Sequence, residues 1–459
     1  MNDSDVFKRA KERTKELIEM GELELAKGLI DQYKDMLKDD VEVYSIRSVI
    51  AMMEGDMDKA EEILLEGLII QPYNEDLNFN MHYLINMIKD REKVFEVFCK
   101  LKLFNSSSVL KLNDIDLEHM ELDRANLRVA HGSIEIANQM NMITKGLKNM
   151  GINAKSINYY PNYLQYESDY VLDINSFKYI NEANMRTKEL AAKIIINNDI
   201  FHFHFGTSLT LDYSDLPLLR ELGKKVIMQY WGSDVRMYSK AIKLNPYVKV
   251  KDMNEDSIKR KLEFISKYVP DCLVDYELSE YVKDYHQNIH YTRVAMDLGK
   301  YKYIEETNNE KLLIVHAPTA PEFKGTKYIL EAIEDLNSKY DFDFKLIQGM
   351  KHHEAMKIYE KADIIIDQIL TGGYGVFAVE AMAMGKTVIC WISDFMKEKY
   401  PNELPIISAN PDTIKIKLEY IIKNKDMLMS IGANARKYVE RYHDKNIITK
   451  NIYSIYKSL

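Results

Sequence analysis

The chain has 459 residues with 46% hydrophobic and 29% charged content, which predicts roughly two to four folded domains. A formal net charge of −9 argues against a nucleic-acid binder, while leaving room for a local basic patch. Cys99, Cys272 and Cys390 are few and scattered, so no disulfide framework is implied and a reducing cytoplasm is expected. The opening residues Met1-Asn2-Asp3-Ser4-Asp5 are acidic and unlike a signal peptide. No apolar run approaches the roughly 20 residues of a membrane-spanning helix. Peripheral attachment at an inner membrane face is an alternative, although no strongly basic amphipathic helix supports it.

The first block is an internal repeat. Gly21-Glu22-Leu23-Glu24-Leu25-Ala26 recurs as Gly55-Asp56-Met57-Asp58-Lys59-Ala60, a period of 34. Leu29 with Ile63, Ile30 with Leu64 and Val43 with Leu77 follow at the same offset, and Lys89 to Val94 form a weaker third copy. The pattern resembles tetratricopeptide repeats, helix pairs of about 34 residues with glycine in the turn and small residues where helices touch. Pro72 falls where such repeats usually carry a proline. Each pair buries its apolar face only by stacking on a neighbour. Residues 1–118 are therefore expected to be a helical domain. It is either a spacer or a docking groove for an acceptor, a partner protein or a second copy.

Asn105-Ser106-Ser107-Ser108 begins a polar link. Leu127 to Ala130 reads as a strand, His131-Gly132-Ser133 as a loop, Glu135 to Met150 as a helix capped by Gly151, and Ala154 to Tyr159 as a second strand. Open α/β sheets begin this way and bind ligands at the carboxyl ends of their strands. In Asp199 to Gly206 histidines alternate with aromatic residues, so His202 and His204 share one face of a strand. Two histidines on one face suggest metal, but no carboxylate or cysteine cluster accompanies them. Apolar residues from Val226 then run into Trp231-Gly232-Ser233-Asp234, with Arg236 beyond. Trp231 could stack on a sugar ring or simply pack in the core. Asp234 and Arg236 could form a local ion pair.

The third block opens near Glu310. Strands are expected at Lys311 to Val315, Phe344 to Gln348 and Asp363 to Asp367, alternating with helices at Thr326 to Leu336 and from His352 to near Lys361. Alternation at these lengths predicts a second doubly wound domain. Then comes Gly372-Gly373-Tyr374-Gly375-Val376-Phe377-Ala378-Val379-Glu380-Ala381-Met382-Ala383-Met384-Gly385, followed by an apolar strand from Thr387 to Ile392. Strand, glycine loop, helix and strand make a βαβ unit. Glycines admit a ligand close to the backbone, and the helix N-terminus offers free N–H groups to an anion. The plainer alternative is a tight turn with a solvated Glu380. Asn434 to Leu459 reads as an amphipathic helix.

This second half resembles the donor-binding region of GT-B glycosyltransferases, in particular the large retaining family numbered 4. Gly375, Glu380, Ala381, Met382, Ala383 and Gly385 match its glycine loop and Glu-Ala-Met-Ala run, and Lys324-Gly325 matches its Lys-Gly. The family's Asp-x-x-His-x-His strand, which holds no metal, is similar to Asp199 to His204. Its His-Gly-x-Asp sequence falls on Trp231 to Asp234. Two departures stand out. The first of two glutamates normally eight positions apart is Gly372, and the usual arginine before the lysine is missing from Thr319-Ala320-Pro321.

The resemblance spans Leu127 to Leu459 and implies an α/β GT-B fold, two facing Rossmann-like domains preceded by the helical repeats. The implied boundaries are 126–296 for the acceptor domain, 297–440 for the nucleotide-sugar donor domain, and 441–459 for a helix crossing back to the first. The implied activity is hexosyl transfer from a nucleoside-diphosphate sugar, the only co-substrate, to a glycan, protein or lipid-linked hydroxyl. Lys324 would neutralise the diphosphate and Glu380 would hold the ribose. Gln368, Gly373, Tyr374, Gly375, Val376 and Phe377 would complete the donor site. His131, Gly132, Trp231, Asp234 and Arg236 would lie on the acceptor side. No Asp-x-Asp follows a strand, so metal-independent transfer is expected. A weakened GT-B-like binding protein and a nucleotide-sugar epimerase are the alternatives.

Overall fold

A computed structural model describes residues 3–105, 108, 127–161, 166–307 and 309–459. Most of the polar link and the expected boundary at 118 lie outside the described residues. In chain order the helices α1 (Asp3–Glu19), α2 (Leu23–Tyr33), α3 (Val41–Glu54), α4 (Met57–Ile70), α5 (Glu75–Met87) and α6 (Arg91–Phe104) come first. Then follow β1 (Arg128–Gly132), α7 (Gln139–Asn149), β2 (Asn153–Asn158), β3 (Tyr170–Val171), α8 (Ile180–Ile196), β4 (Ile200–His204), α9 (Asp215–Glu221) and β5 (Lys225–Gln229). Next are α10 (Tyr238–Leu244), α11 (Glu255–Tyr268), β6 (Asp271–Val274), α12 (Tyr276–Val282) and β7 (Asn288–Tyr291). The chain continues through β8 (Leu312–His316), α13 (Pro321–Lys324), α14 (Thr326–Asn337), β9 (Phe342–Leu346), α15 (His352–Lys361) and β10 (Ile364–Ile366). It ends with α16 (Val376–Ala383), β11 (Thr387–Ile389), α17 (Asp394–Lys397), α18 (Ile414–Lys423), α19 (Leu428–Tyr442) and α20 (Lys445–Ser458). No helix among the described residues is long and apolar enough to cross a membrane.

The chain divides into two compact units. The first contains the repeat helices α1–α6 together with α8 and α9. The 34-residue period has a local cause. Asp56 caps α4 and Asp90 caps α6, each accepting backbone N–H bonds from the first turn. Ala26 and Ala60, in register, are fully buried where helices touch. Glu61 is buried and held by Lys93 at 3.0 Å and Lys100 at 2.7 Å. Lys102 reaches Glu221 at 3.3 Å, and Lys188 lies 5.6 Å over the ring of Phe104. The sequence carries no sign that α8 and α9 join the repeats, because their apolar residues serve equally well as sheet-covering helices.

The second unit holds two sheets whose pairings are all parallel. One runs β3-β2-β1-β4-β5-β6-β7, the other β11-β10-β8-β9. Parallel strands are covered on both faces, which explains the unbroken apolar runs. β10, the central Ile364-Ile365-Ile366, is fully buried. Several local readings shift. β1 extends through Gly132, so His131 sits in a strand and not in a loop. β9 begins at Phe342, two residues before the expected start. The C-terminal run is two helices, since Asp444 caps a fresh start by accepting the N–H of Asn446. α20 returns to the first sheet, where Ile448, Ile452 and Tyr456 join the core with Val129, Ile143 and Ile227. It crosses α7 so closely that a Cβ on Gly146 would lie 2.1 Å from Thr449 Oγ1.

The chain crosses between the sheets twice, and the two crossings are tied together. The N–H of Met296 donates to His443 O at 2.7 Å, and that of Lys445 to Met296 O at 2.9 Å. Gln139 grips the first crossing through both amide groups, donating to Ala295 O at 3.0 Å and accepting from its N–H at 2.7 Å.

Candidate functional site

The carboxyl ends of β8 and β10 carry the second sheet's polar groups. Asp367 follows the last isoleucine of β10 and is buried. Lys324, at the end of the short helix α13, donates to Asp367 Oδ1 at 2.7 Å. The other carboxylate oxygen accepts the N–H of Gly375 at 3.2 Å, fixing the end of the glycine loop where α16 begins. Gln368 donates to Gly373 O at 2.6 Å and braces the same loop. One turn into α16, Glu380 accepts a hydrogen bond from the Tyr301 hydroxyl at 2.9 Å. The phenol of Tyr301 is pushed up, first by burial and then by Glu380. His316 bridges Ile366 O at 2.8 Å and Thr326 Oγ1 at 2.9 Å, and burial lowers its pKa to about 4.

Two cavities open at these ends. The larger, about 1010 Å³, has Lys324, Val376, Phe377 and Glu380 in its wall, with Tyr301, Gln348 and Met350. The smaller, about 370 Å³, is lined by Trp231, Arg236, Lys324, Gln368 and the loop from Gly372 to Val376. Lys324, Val376, Ala137 and Thr319 belong to both walls. The first sheet contributes residues 136–138 in place of His131 and Gly132, which line neither cavity. Ala137 and Asn138 have φ of 49° and 65°, left-handed conformations for residues with side chains. Such strain clusters where a backbone is shaped for a ligand. Just before them Glu135, buried and raised to about 7 by that burial, accepts the N–H groups of Met140 and Asn141.

Gly372, at the position of the absent glutamate, has φ +82°, and a Cβ there would lie 3.0 Å from Ser393 Cβ and 3.1 Å from Asn245 Nδ2. Gly372→Glu is therefore expected to destabilise by about 1–3 kcal/mol without raising activity. Thermal melting checks this; an unchanged Tm would mean that the loop relaxes around the side chain.

At the end of β5 Asp234 accepts the N–H groups of Trp231 at 3.1 Å and Gly232 at 2.7 Å. It shapes the turn and lines neither cavity. The ion pair with Arg236 that the sequence left open is not the one formed: Arg236 makes a two-pronged pair with Glu277, at 2.8 and 2.6 Å. Planar guanidinium and carboxylate match in that geometry, and the Asp234 oxygens are occupied by backbone. Asp275, on the same wall, is raised to about 6 by burial. Tyr374 lines the smaller cavity, and its hydroxyl meets His443 Nε2 at 3.0 Å and Tyr438 at 3.2 Å.

His202 and His204 are joined by His131 in one buried cluster, with nitrogens within 4.8 Å of one another. The rings of His202 and His204 stack at 4.5 Å with 10° between planes. Their lone pairs run side by side and do not converge on one point, as a tetrahedral metal site requires. Sequence reading found the pair but missed His131, because parallel pairing of β1 with β4, His131 opposite His202, is a tertiary fact. Asp367 and Tyr301 were missed as site residues too. Asp367 is legible as the polar residue ending an isoleucine run, whereas Tyr301 has no pattern around it.

No family model matches the chain. It is 23% identical over 272 residues to an uncharacterised glycosyltransferase of Methanocaldococcus jannaschii, covering 53% of this chain and 71% of that protein. Among solved structures it is similar to Anabaena HepE in complex with UDP and glucose, with TM-score 0.53 and 10% identity over 73% of this chain and all of that one. It is also similar to sucrose-phosphate synthase of Thermosynechococcus elongatus, with TM-score 0.50 and 11% identity over 72% of this chain and 99% of that one. Two parallel-sheet domains meeting at a cleft, closed by a returning C-terminal helix and matched over the full length of such structures, give this chain the GT-B fold, preceded in sequence by tetratricopeptide-like helices.

Proposed function

We propose that the chain is a glycosyltransferase that moves a sugar from a nucleoside-diphosphate sugar to an acceptor hydroxyl. The observation that carries this reading is the place of Lys324 in the walls of both cavities. A nucleoside-diphosphate sugar is an elongated ligand with its negative charge in the middle. A cation at the seam of two cavities suits that charge, with the nucleoside in the larger space and the sugar in the smaller. Glu380 would accept the ribose hydroxyls. Gln368, Gly373 and Gly375 would border the sugar, and Trp231 would face it from the other domain. The similarity to an M. jannaschii glycosyltransferase and to HepE, solved with UDP and glucose, supports the same reading.

In the reaction the bond between the sugar's anomeric carbon and the diphosphate oxygen breaks, and the acceptor oxygen bonds to that carbon. The acceptor's proton passes to an oxygen of the departing diphosphate, and configuration is retained. Lys324 and the N-terminus of α16 stabilise the charge that develops on the leaving group, with no metal required. Enclosure of the cleft favours the acceptor over water. The helical repeats recruit the acceptor or a partner.

Calorimetric titration with UDP, GDP, ADP and TDP, in EDTA, tests the donor site. One nucleotide is expected to bind at micromolar strength. Glu380→Ala should weaken that binding about tenfold, some 1.4 kcal/mol; unchanged affinity removes Glu380 from the ribose. A second reading, a binding protein with weakened chemistry, is favoured by the crowded, left-handed Gly372, which leaves no room for a second glutamate. Nucleotide binding without hydrolysis or transfer of the matching sugar conjugate would select it.

A further inference from the structure

We infer that Tyr456, on the last helix, is a positioning residue for Trp231, acting through a one-way chain of hydrogen bonds across three buried histidines. Its functional consequence rests on the assignment of Trp231 to the acceptor-side wall; the chain itself does not.

The links are specific. Trp231 Nε1 donates to His204 Nδ1 at 3.3 Å. His204 Nε2 meets His131 Nδ1 at 3.2 Å, and His131 Nε2 meets the Tyr456 hydroxyl at 3.2 Å. The same hydroxyl meets His202 Nδ1 at 2.6 Å. An indole N–H can only donate, and that fixes every later link. His204 accepts at Nδ1, so its proton is on Nε2 and is donated to His131 Nδ1. His131 then carries its proton on Nε2 and gives it to the Tyr456 oxygen. Tyr456 donates its own proton to His202 Nδ1, and His202 is left with its proton on Nε2. That atom and Gln229 Oε1, on the adjacent strand β5, are both buried and make no close hydrogen bond among the described residues, but the Gln229 side chain is near enough to favour the protonated ring. The chain ends there.

His204 and His131 therefore each use both nitrogens in the neutral form, His202 is engaged through Nδ1, and burial lowers all three pKa values. A chain whose cleft end is an indole N–H takes no proton from a ligand. It orients. Trp231 stacks beside His204 with ring centroids 6.1 Å apart and 21° between planes, so its ring face is held at one angle in the smaller cavity. A phenylalanine at 456 would fill the same space, but it would leave His131 Nε2 and His202 Nδ1 unpaired in a dry core. Tyr456 thus links the returning helix to the acceptor side of the cleft, whereas the donor residues Lys324, Asp367 and Glu380 lie outside the chain.

The test uses the full chain with 15N-labelled histidine and a Trp391→Phe background, which leaves Trp231 as the one tryptophan. Long-range 15N–1H spectra at pH 7.5 should show His131, His202 and His204 all as neutral Nε2–H tautomers. An Nδ1–H form of His131 or His204, or an imidazolium in the cluster, overturns the proposal. Tyr456→Phe should raise acrylamide quenching of Trp231 at least about twofold as the indole gains orientations, with UDP binding unchanged. Unchanged quenching, or weakened UDP binding, overturns it. If Tyr456→Phe does not fold, the tautomer pattern of the parent decides alone. Failure of the parent to bind any nucleotide would defeat the proposed function while leaving both spectroscopic readouts intact.

Discussion

Lys324→Ala is expected to lower sugar transfer by about 100-fold or more, the usual loss when one group stabilising a developing charge is removed. It is also expected to reduce stability by about 3–5 kcal/mol, because a buried carboxylate loses its cation. The second effect follows from Asp367, whose side chain is 0% exposed while that of Lys324 is 20% exposed. The N–H of Gly375 remains as a partner but does not neutralise the charge. The two effects separate in the double variant Lys324→Ala with Asp367→Asn. Its Tm should recover most of the loss, since the uncompensated charge is gone, while its turnover should stay low. Turnover that returned together with Tm would make Lys324 a structural residue only.

Mild acid should unfold the protein steeply. His131, His202, His204, His286, His316 and His443 are buried, and burial, the largest cause in each, lowers their pKa values. His202 falls to about 3, and His286, His316 and His443 to about 4. Unfolded histidine takes up its proton near pH 6.5, whereas these rings in the folded state do not. Their contribution is therefore fully present above about pH 6.5 and is lost as pH falls toward 4. Each ring removes up to about 1.4 kcal/mol per pH unit. Four carboxyls raised by burial run the other way: Glu135, Asp215, Asp234 and Asp275. Their stabilisation is full below the unfolded carboxyl pKa and fades as pH rises through the folded values, about 7 for Glu135 and about 6 for Asp275. Six histidines set against four carboxyls leave a net loss of stability as pH falls through about 5. Scanning calorimetry from pH 7.5 to 5.0 should show Tm falling by tens of degrees. A flat profile would mean that the cluster takes up protons without unfolding.

The parts of the fold legible in the sequence were those with local causes. The 34-residue repeat is written in its aspartate caps and buried alanines, and the strands of the second sheet in unbroken apolar runs. Lys324, Gln368 and the glycine loop were named from the residues and the resemblance together, and the structure places them around Asp367. What sequence could not supply were partners set by packing. A pair between Arg236 and the nearest carboxylate in sequence, Asp234, was one open reading, but that carboxylate is consumed by the Trp231 and Gly232 amides and the partner, Glu277, lies 41 positions on. His131 was read as loop, although the parallel register with β4 draws it into the sheet beside His202. Tyr456 and His131 meet across 325 positions, a separation that no periodicity encodes.

The returning helix also sets the order in which the chain can mature on the ribosome. Ile448, Ile452 and Tyr456 complete the core of the first sheet, whose last strand ends at Tyr291. Roughly 165 residues must still be made before Tyr456 appears, about 10–30 s at ordinary elongation rates. The second sheet is closed on its α16 side by α19, through Ala435, Tyr438 and Val439, and has all its residues sooner. For that interval the first sheet's apolar face lacks the helix that covers it. Of the two sheets, the one whose strands are made earlier is the later to complete its core.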